Sequence, residues 1–212
     1  MARAVAPFGL RPVRTLSGAP WSASVMQVLI PAADGTAVFV GDLVKTYGTG
    51  GTEGTIVNGI NVGGMPTAIQ GNHATATAGV IGVVVGFLPE HGGTLDNTNS
   101  YRKASTDRIA LVSTGRDTVY EIQEDGVGAN WAAVDIGLCA NLNIATGNTT
   151  TGRSKVSLDS SVAAASTATL PIKVLGLARR PDNYGYGTGT ADVATFECVL
   201  QSTYWGQMAI GV

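Results

Sequence analysis

The sequence carries little charge for its length. Only 13% of its 212 residues are Asp, Glu, Lys or Arg, where a soluble globular domain carries roughly 25%. A surface so poor in charge keeps a lone chain in solution less well, and it suits a protein that neighbouring subunits cover. The net charge is −2 and no basic stripe runs along the chain. The sequence therefore predicts no binding of nucleic acid.

Cysteine and long apolar segments are also scarce. Two thiols, Cys139 and Cys198, do not make a disulfide framework, and we expect both to be buried and unpaired. No run of about 18 apolar residues is present, which predicts that the chain does not cross a membrane. Residues 1–10 lack the apolar core of a signal peptide. The protein is therefore expected to stay in the cytoplasm unless it leaves inside a larger particle.

Catalytic and metal-binding motifs are lacking as well. The two histidines, His73 and His91, lie in polar segments with no Gly-x-Ser-x-Gly turn nearby. The chain has no Cys-x-x-Cys, no His-Glu-x-x-His and no calcium-loop pattern. Its glycine-rich stretches, residues 48–54 and 185–189, lack the lysine or the helix of a phosphate-binding loop. The sequence predicts a protein that is not an enzyme, with no catalytic residues, no metal and no cofactor.

What the chain does contain is glycine, with 29 scattered residues, and short runs rich in Val, Ile and Thr. Gly, Asn, Asp and Pro bound these runs at close intervals. This pattern predicts an all-β fold, a sandwich or barrel of short antiparallel strands with long glycine-rich loops. The predicted strands cover residues 25–31, 37–47, 55–62, 80–89, 108–113, 118–124, 154–158, 169–178 and 195–201.

Three segments give more specific expectations. Residues 118–123 alternate in polarity, which predicts a half-buried strand. Residues 80–87 are nearly all apolar, so we expect cover on both faces, with Gly82 and Gly86 marking a bulge or a close backbone approach. Residues 128–142 are the best helix candidate, but Gly137 interrupts them. A single helical turn followed by a loop and a strand is expected there.

The first twenty residues differ from the rest. They contain three arginines and three prolines, which favour an extended arm outside any central strand. We therefore divide the chain into an N-terminal arm, residues 1–20, and a β domain, residues 21–212, with room for a small inserted subdomain. The arm either lies on a neighbouring subunit or frays. If it binds a neighbour, its deletion should abolish binding and leave the domain folded.

Aromatic residues cluster late in the chain, where Tyr184, Tyr186, Tyr204 and Trp205 occur within a short stretch. Tyrosine and tryptophan serve as interface anchors or stack on sugars, and they also pack at strand ends in a core. Together with the apolar and cationic residues of the arm, they give the candidate partner-binding set. Its members are Phe8, Leu10, Arg11, Arg14, Tyr184, Tyr186 and Trp205.

Six segments, in their order and spacing, resemble a family of tailed-bacteriophage capsid cement or decoration (head stabilisation) proteins. They are FGLRPVR at residues 8–14, GDLV at 41–44, GVVVGF at 82–87, TDRIALV at 106–112, VYEIQEDG at 119–126 and LGLARRPDN at 175–183. The resemblance implies a β-rich subunit without catalysis that binds the outside of a lattice of major capsid protein. It also implies a homotrimer at local threefold axes, and hence a place on the capsid surface of the virion.

Other functions stay open at this point. The chain could be a different structural component of a phage head, neck or tail. It could also be a carbohydrate-binding β module that uses Tyr184, Tyr186 and Trp205, or a hydrolase of unrecognised type.

Overall fold

The fold is all-β, as the sequence predicts. The computed structural model describes residues 3–71, 80–89, 100–127, 130–161, 170–188 and 192–201. The strands of this part are β1 Arg11–Thr15, β2 Met26–Ile30, β3 Leu43–Gly50, β4 Ile56–Val57, β5 Ile60–Asn61, β6 Pro66–Gln70, β7 Val80–Phe87, β8 Arg108–Ser113, β9 Thr118–Gln123, β10 Cys139–Ala140, β11 Leu142–Asn143, β12 Ser157–Leu158, β13 Ile172–Leu177 and β14 Thr195–Leu200.

Five of these strands close into a barrel in the order β2-β6-β3-β7-β8. The neighbours pair antiparallel except β2 and β6, which meet in parallel at Leu29 and Thr67. Closure leaves the barrel itself without a free sheet edge, and so without an exposed row of unpaired backbone groups. The barrel encloses Val28, Ile30, Val38, Val44, Ala68, Ile81, Val84, Ala110 and Val112.

A five-stranded antiparallel sheet, ordered β1-β9-β14-β13-β10, packs beside the barrel. Strand β7 joins the two halves because it contributes to both cores. Ile81 and Val84 point into the barrel, whereas Val80 and Val83 belong to the core beneath the sheet. The prediction that this strand is covered on both faces is confirmed for its first half. Gly82 approaches β8 so closely that an added Cβ would lie 2.1 Å from the Ser113 carbonyl oxygen.

Strand β9 departs from its predicted half-buried character, since all six of its residues are buried. Its inner face packs in the sheet core. Its outer face is covered by the N-terminal segment, where Gln123 donates to the Ala4 carbonyl and accepts from the Ala6 N–H at 2.7 Å. Glu121 and Gln123 therefore alternate with apolar residues because their side chains bind polar groups of the same chain, and not because they face water.

The N-terminal segment is part of the domain within the described residues. Leu10 is only 2% exposed and belongs to the sheet core. Strand β1 forms the edge of the sheet, and Trp21 donates its N–H to Val13 on the outer side of that strand. The expectation that the domain folds without residues 1–20 is revised, because their loss would remove Leu10 from the core and uncover the outer face of β9.

The segment predicted as one strand over residues 55–62 is instead the hairpin of β4 and β5. Its turn is Asn58-Gly59, with φ of 53° and 76°. Two positive φ values are what a two-residue hairpin turn of type I′ requires, and Asn-Gly is its preferred sequence. Val57 and Val62 pack with Leu29 on the outside of the barrel.

Helix is confined to one 3-10 turn, Ala133–Asp135, in the described part of the chain. The expected sequence of a helical turn, a loop and a strand over residues 128–142 is confirmed for the described residues, since β10 follows the turn. None of the described residues form a helix with the length and apolarity needed to traverse a bilayer.

Both thiols are free and buried, as the sequence predicts. Cys139 lies on β10 opposite Lys173, and Cys198 lies on β14 opposite Val174. Strand β13 therefore separates them, and two strand spacings amount to about 9.5 Å, which exceeds the reach of a disulfide. Burial raises the pKa of the Cys198 thiol well above its ordinary value.

Candidate functional site

Strand register places four residues in one row across the outer face of the five-stranded sheet. Arg11 of β1 lies opposite Glu121 of β9, Glu121 lies opposite Glu197 of β14, and Glu197 lies opposite Gly176 of β13. Inward neighbours such as Phe196 belong to the core, which fixes the row on the other face. The row therefore brings together residues that are far apart in the sequence.

Three arginines surround the two carboxylates of this row. Arg11 and Arg180 both bond to Glu121, Arg180 at 3.0 Å. Arg14 bonds to Glu197 at 2.5 Å. The hydrogen bond to Glu197 raises the pKa of Arg14. We call Arg11, Arg14, Arg180, Glu121 and Glu197 the arginine–carboxylate cluster, and its guanidinium groups offset the repulsion between two like charges on neighbouring strands.

A concave surface of about 1040 Å³ lies beside this cluster. Strand β13 forms its floor, with Leu175 and Leu177 partly buried. Between them, Gly176 has no atom within 4 Å of the position that a Cβ would take. We call this surface the Tyr184 groove, and it is lined by Arg14, Leu175, Gly176, Leu177, Ala178, Arg179, Arg180, Pro181, Asn183, Tyr184, Tyr186 and Glu197.

Asn183 fixes the loop that carries the two tyrosines. Its side-chain amide is buried and donates to the carbonyls of Ala178 at 2.8 Å and Thr195 at 2.7 Å. Its oxygen accepts the Thr195 N–H at 3.0 Å. This side chain replaces the missing backbone pairing where β13 ends, so the loop leaves the sheet in a defined direction.

Arg3 holds the same loop from the N-terminal side. Its guanidinium donates to the carbonyls of Gly185 and Tyr186 and pairs with Asp192 at 2.9 Å. It also lies over the ring of Tyr184, 4.9 Å from the centroid. Hydrogen bonds from Arg3 lower the pKa of Asp192 to about 2. The ring of Tyr184 nevertheless remains 64% exposed at the groove.

A buried carboxylate supports the loop from below. Glu124 is fully buried and accepts hydrogen bonds from the Ala194 N–H at 2.6 Å, the Trp131 N–H at 3.2 Å and the Asn130 amide at 3.1 Å. Burial raises its pKa despite these donors. A Cβ on Gly187 would come within 2.3 Å of the carboxylate, so this position requires glycine.

The structure divides the predicted partner-binding residues between two places. Arg14, Tyr184 and Tyr186 meet at the Tyr184 groove. Phe8, Leu10 and Arg11 line a separate pocket of about 350 Å³ against the barrel, and Trp205 lies outside the described residues.

Three members of the predicted partner-binding set, Leu10, Arg11 and Arg14, are already engaged within their own chain. Leu10 is buried in the core of its own chain and is not free to enter a groove on a partner. Arg11 and Arg14 already bond to Glu121 and Glu197, so the carboxylates they meet belong to this chain.

Sequence reasoning missed the other members of the site. Glu121, Glu197 and Gly176 face one another only through strand register, which leaves no local signal in the sequence. Arg180 did carry a signal, because it precedes the turn-forming Pro-Asp pair. Such an arginine is well placed to bond to Asp182, as it does here.

Metal-binding chemistry finds no support in the described part of the chain, where no group of three or more His, Cys, Asp or Glu side chains is placed to hold an ion. His73 and His91 lie outside the described residues. Comparison with protein-family models, with curated proteins and with solved structures found no match for this chain. The groove and the charge cluster are therefore the features from which a function can be argued.

Proposed function

We propose that the protein is a non-enzymatic structural subunit of a tailed-phage virion, which binds the outside of the major-capsid lattice and stabilises it. The observation that carries this proposal is how the chain uses its few charges. Arg3, Arg11, Arg14 and Arg180 bond to carboxylates of the same chain. They neutralise their partners and do not add to a solvating surface.

Two further arginines are buried. Arg102 is fully buried and donates to three backbone carbonyls, and Arg108 is 3% exposed. Six of the 13 Lys and Arg side chains of this sparsely charged chain are therefore paired with its own carboxylates or buried. Depletion of charge is a property of surfaces that other proteins cover.

The exposed apolar side chains lie on different parts of the chain. Val134 is 83% exposed on the 3-10 turn, Ile56 is 61% exposed on the β4–β5 hairpin, and Tyr184 is 64% exposed at the groove. Such scattered contacts suit a subunit that touches several neighbours at once. Shell stabilisation needs contact area and multivalency and no reactive group. The implied homotrimer would multiply each contact threefold, and we include it in the proposal.

Co-sedimentation tests the proposal directly. Heads of the phage that encodes the chain, prepared without this protein, are mixed with increasing amounts of it and pelleted. We expect saturable binding with a fixed number of copies per capsid subunit, and a higher temperature of head disruption. Unexpanded heads serve as the control surface. A chain that stays in the supernatant with mature heads at every concentration would falsify the proposal.

The exposed ring of Tyr184 favours one second candidate, a carbohydrate-binding module. An aromatic ring at the margin of a polar groove is a common platform for a sugar. Screening on a glycan array, with Tyr184→Ala as the matched variant, tests this alternative. Binding of a glycan that is lost in the variant would support it.

A further inference from the structure

We propose that the Tyr184 groove binds an extended peptide segment that carries carboxylate side chains, supplied by the neighbouring shell subunit. The proposal rests on the proposed function for the identity of the partner. The nature of the ligand rests on the groove itself.

Charge is the first argument. The groove is lined by three guanidinium groups, those of Arg14, Arg179 and Arg180, and by the single carboxylate of Glu197. Arg14 is paired with Glu197, and Arg180 is paired with Glu121 and Asp182, so the unbalanced positive charge of the groove is that of Arg179. Arg179 is exposed and forms no ion pair with any described residue. An incoming carboxylate would therefore meet a guanidinium that no carboxylate of the described residues already engages.

Arg14 and Arg180, which already form ion pairs, still have N–H groups left for a ligand. A guanidinium offers five N–H donors in a planar fork. Arg14 uses Nη2 on Glu197 and Nη1 on the Thr15 carbonyl, which leaves further donors at the groove. Arg180 is 32% exposed although it bonds to Glu121 and Asp182. Both side chains are held in place by these bonds, so a second carboxylate would find them already oriented.

The shape of the groove favours an extended segment over a single side chain. A volume of about 1040 Å³ lies at the upper end of the range of roughly 300–1000 Å³ for ligand pockets, so one side chain would leave most of it unfilled. Its floor follows strand β13, where Leu175 is partly buried and Gly176 leaves a gap in the outer face, while Leu177 packs against the core beneath. A strand-like segment alternates its side chains, so apolar residues can meet the floor while acidic residues meet the arginines.

The walls of the groove are built before any ligand arrives. Asn183 fixes one end of the tyrosine loop and Arg3 fixes the other. Binding therefore does not require the loop to become ordered, which lowers the entropic cost of association. A nucleic acid is a poorer fit, because the chain as a whole has a net charge of −2 and would be repelled by a phosphate backbone.

Two variants remove the proposed contacts without touching the core. Arg179→Glu reverses the unpaired charge. Gly176→Val fills the gap in the floor, and Gly176 has neither a positive φ nor an atom within 4 Å of a new Cβ. Lys103→Glu and Gly35→Val make the same chemical changes at exposed positions of the barrel half, and they serve as matched controls. Circular dichroism and thermal unfolding confirm that all four variants fold.

The probe is a fluorescein-labelled peptide of alternating Val and Glu, about eight residues long, which spans about 26 Å when extended. Its affinity for the full chain is measured by fluorescence anisotropy. We expect Arg179→Glu and Gly176→Val each to weaken binding by about tenfold or more, and both controls to stay within about twofold. A matched peptide of alternating Val and Gln, which lacks the carboxylates, should bind at least about tenfold more weakly than the Val–Glu peptide. Raising the salt from about 0.1 M to about 1 M, which shortens the screening length from about 10 Å to about 3 Å, should weaken the acidic peptide selectively.

The same variants in head co-sedimentation separate this inference from the proposed function. If the wild-type chain and both groove variants bind heads equally well, the inference is overturned and the proposed function stands. If the wild-type chain fails to bind heads but binds the acidic peptide through the groove, the proposed function falls and the ligand class stands. Equal affinity for the Val–Glu and Val–Gln peptides, or displacement of the peptide by a glycan identified on the array, overturns the inference.

Discussion

Glu121 and Glu197 lie directly opposite each other on neighbouring strands of the five-stranded sheet, although both side chains carry negative charge. Like charges in this position normally destabilise a sheet. Here Arg11 and Arg180 bond to the first carboxylate and Arg14 bonds to the second. Two of the three arginines come from the N-terminal segment, so the sheet depends electrostatically on the residues that form its edge.

A double-mutant cycle on Arg14 and Glu197 measures this dependence. We expect Arg14→Gln alone to lower the free energy of unfolding by about 1 kcal/mol or less, since the pair is partly exposed and solvent screens it. The double variant Arg14→Gln/Glu197→Gln should lose less than the sum of the two single variants, because it removes the repulsion along with the attraction. Urea unfolding provides the values, with Lys173→Gln on β13 as an exposed control. Strict additivity would contradict the pairing.

Arg102 is the most buried cation of the described residues, and its replacement should be far more costly. Its guanidinium donates to the carbonyls of Pro31 and Thr36, both at 2.6 Å, and of Thr106 at 2.7 Å. Burial lowers its pKa, and the charge of Asp34 opposes that effect. We expect Arg102→Met to reduce the free energy of unfolding by about 3–5 kcal/mol, because buried carbonyls lose their donors.

The neighbouring residue supplies the control for that measurement. Lys103→Met removes a charge of the same sign from an exposed position and should change stability by less than about 0.5 kcal/mol. Similar midpoints for the two variants in urea would show that the guanidinium of Arg102 does not support the barrel.

We expect the buried side chain of Tyr120 to ionise at a higher pH than the other tyrosines. Burial raises its pKa to about 12, although its hydroxyl bonds to Ser113 at 3.1 Å. Because the folded-state pKa is raised, the stability that the neutral phenol provides is complete below the ordinary pKa and is lost as pH rises through about 12. Spectrophotometric titration should show one tyrosine ionising after the others.

The variant Tyr120→Phe tests the assignment of that late step. It should remove the late tyrosinate signal and cost about 1 kcal/mol, the usual value of one neutral hydrogen bond. A late step that persists in this variant would assign the raised pKa to a different tyrosine.

For Asp192 we expect the opposite dependence, a contribution to stability that is lost at low pH. Arg3 lowers its pKa to about 2, so the ion pair stabilises the tyrosine loop above the ordinary carboxyl pKa. That contribution is lost as pH falls through about 2. In Arg3→Gln, NMR titration of the Asp192 carboxyl should show the pKa returning toward its ordinary value. An unchanged titration curve would mean that Arg3 does not hold the loop.

Several strands were predictable because their signals are local. The runs at residues 80–89, 108–113 and 118–124 are apolar or alternating and have turn residues at their ends, and β7, β8 and β9 lie within them. The single turn near residue 134 was predictable because Gly137 prevents a longer helix. The Asn58-Gly59 turn also has a local signal, since Asn-Gly is the preferred sequence of a type I′ turn. The prediction of one strand over residues 55–62 did not take this signal into account.

Other elements carry no such signal. Strand β1 contains Pro12 and two arginines, which resemble an exposed arm, and it becomes a strand only because β9 offers an edge. Strand β6 begins with Pro66 and is short. Its place in the barrel follows from closure, which depends on strands distant in the sequence.

The candidate site divides in the same way. The tyrosines of the groove were identifiable from their clustering. The row from Arg11 to Gly176 was not, because a shift of one residue in any strand would send its members to opposite faces. Register between strands is set by packing of the whole sheet, which a single sequence does not display.

The pairing of the first strand with a late one also bears on how the protein is made. Arg11 and Glu121 are 110 residues apart, so at roughly 5–20 residues per second a ribosome needs about 5–20 s between them. The interval between synthesis of the two partners is longer still for Arg3, because Asp192 follows 189 residues after it. The nascent N-terminus must spend this time without its edge partner, and proline and arginine are residues that discourage aggregation of such a segment. The composition that makes residues 1–20 look like a free arm thus protects a strand that has been synthesised before its partner exists.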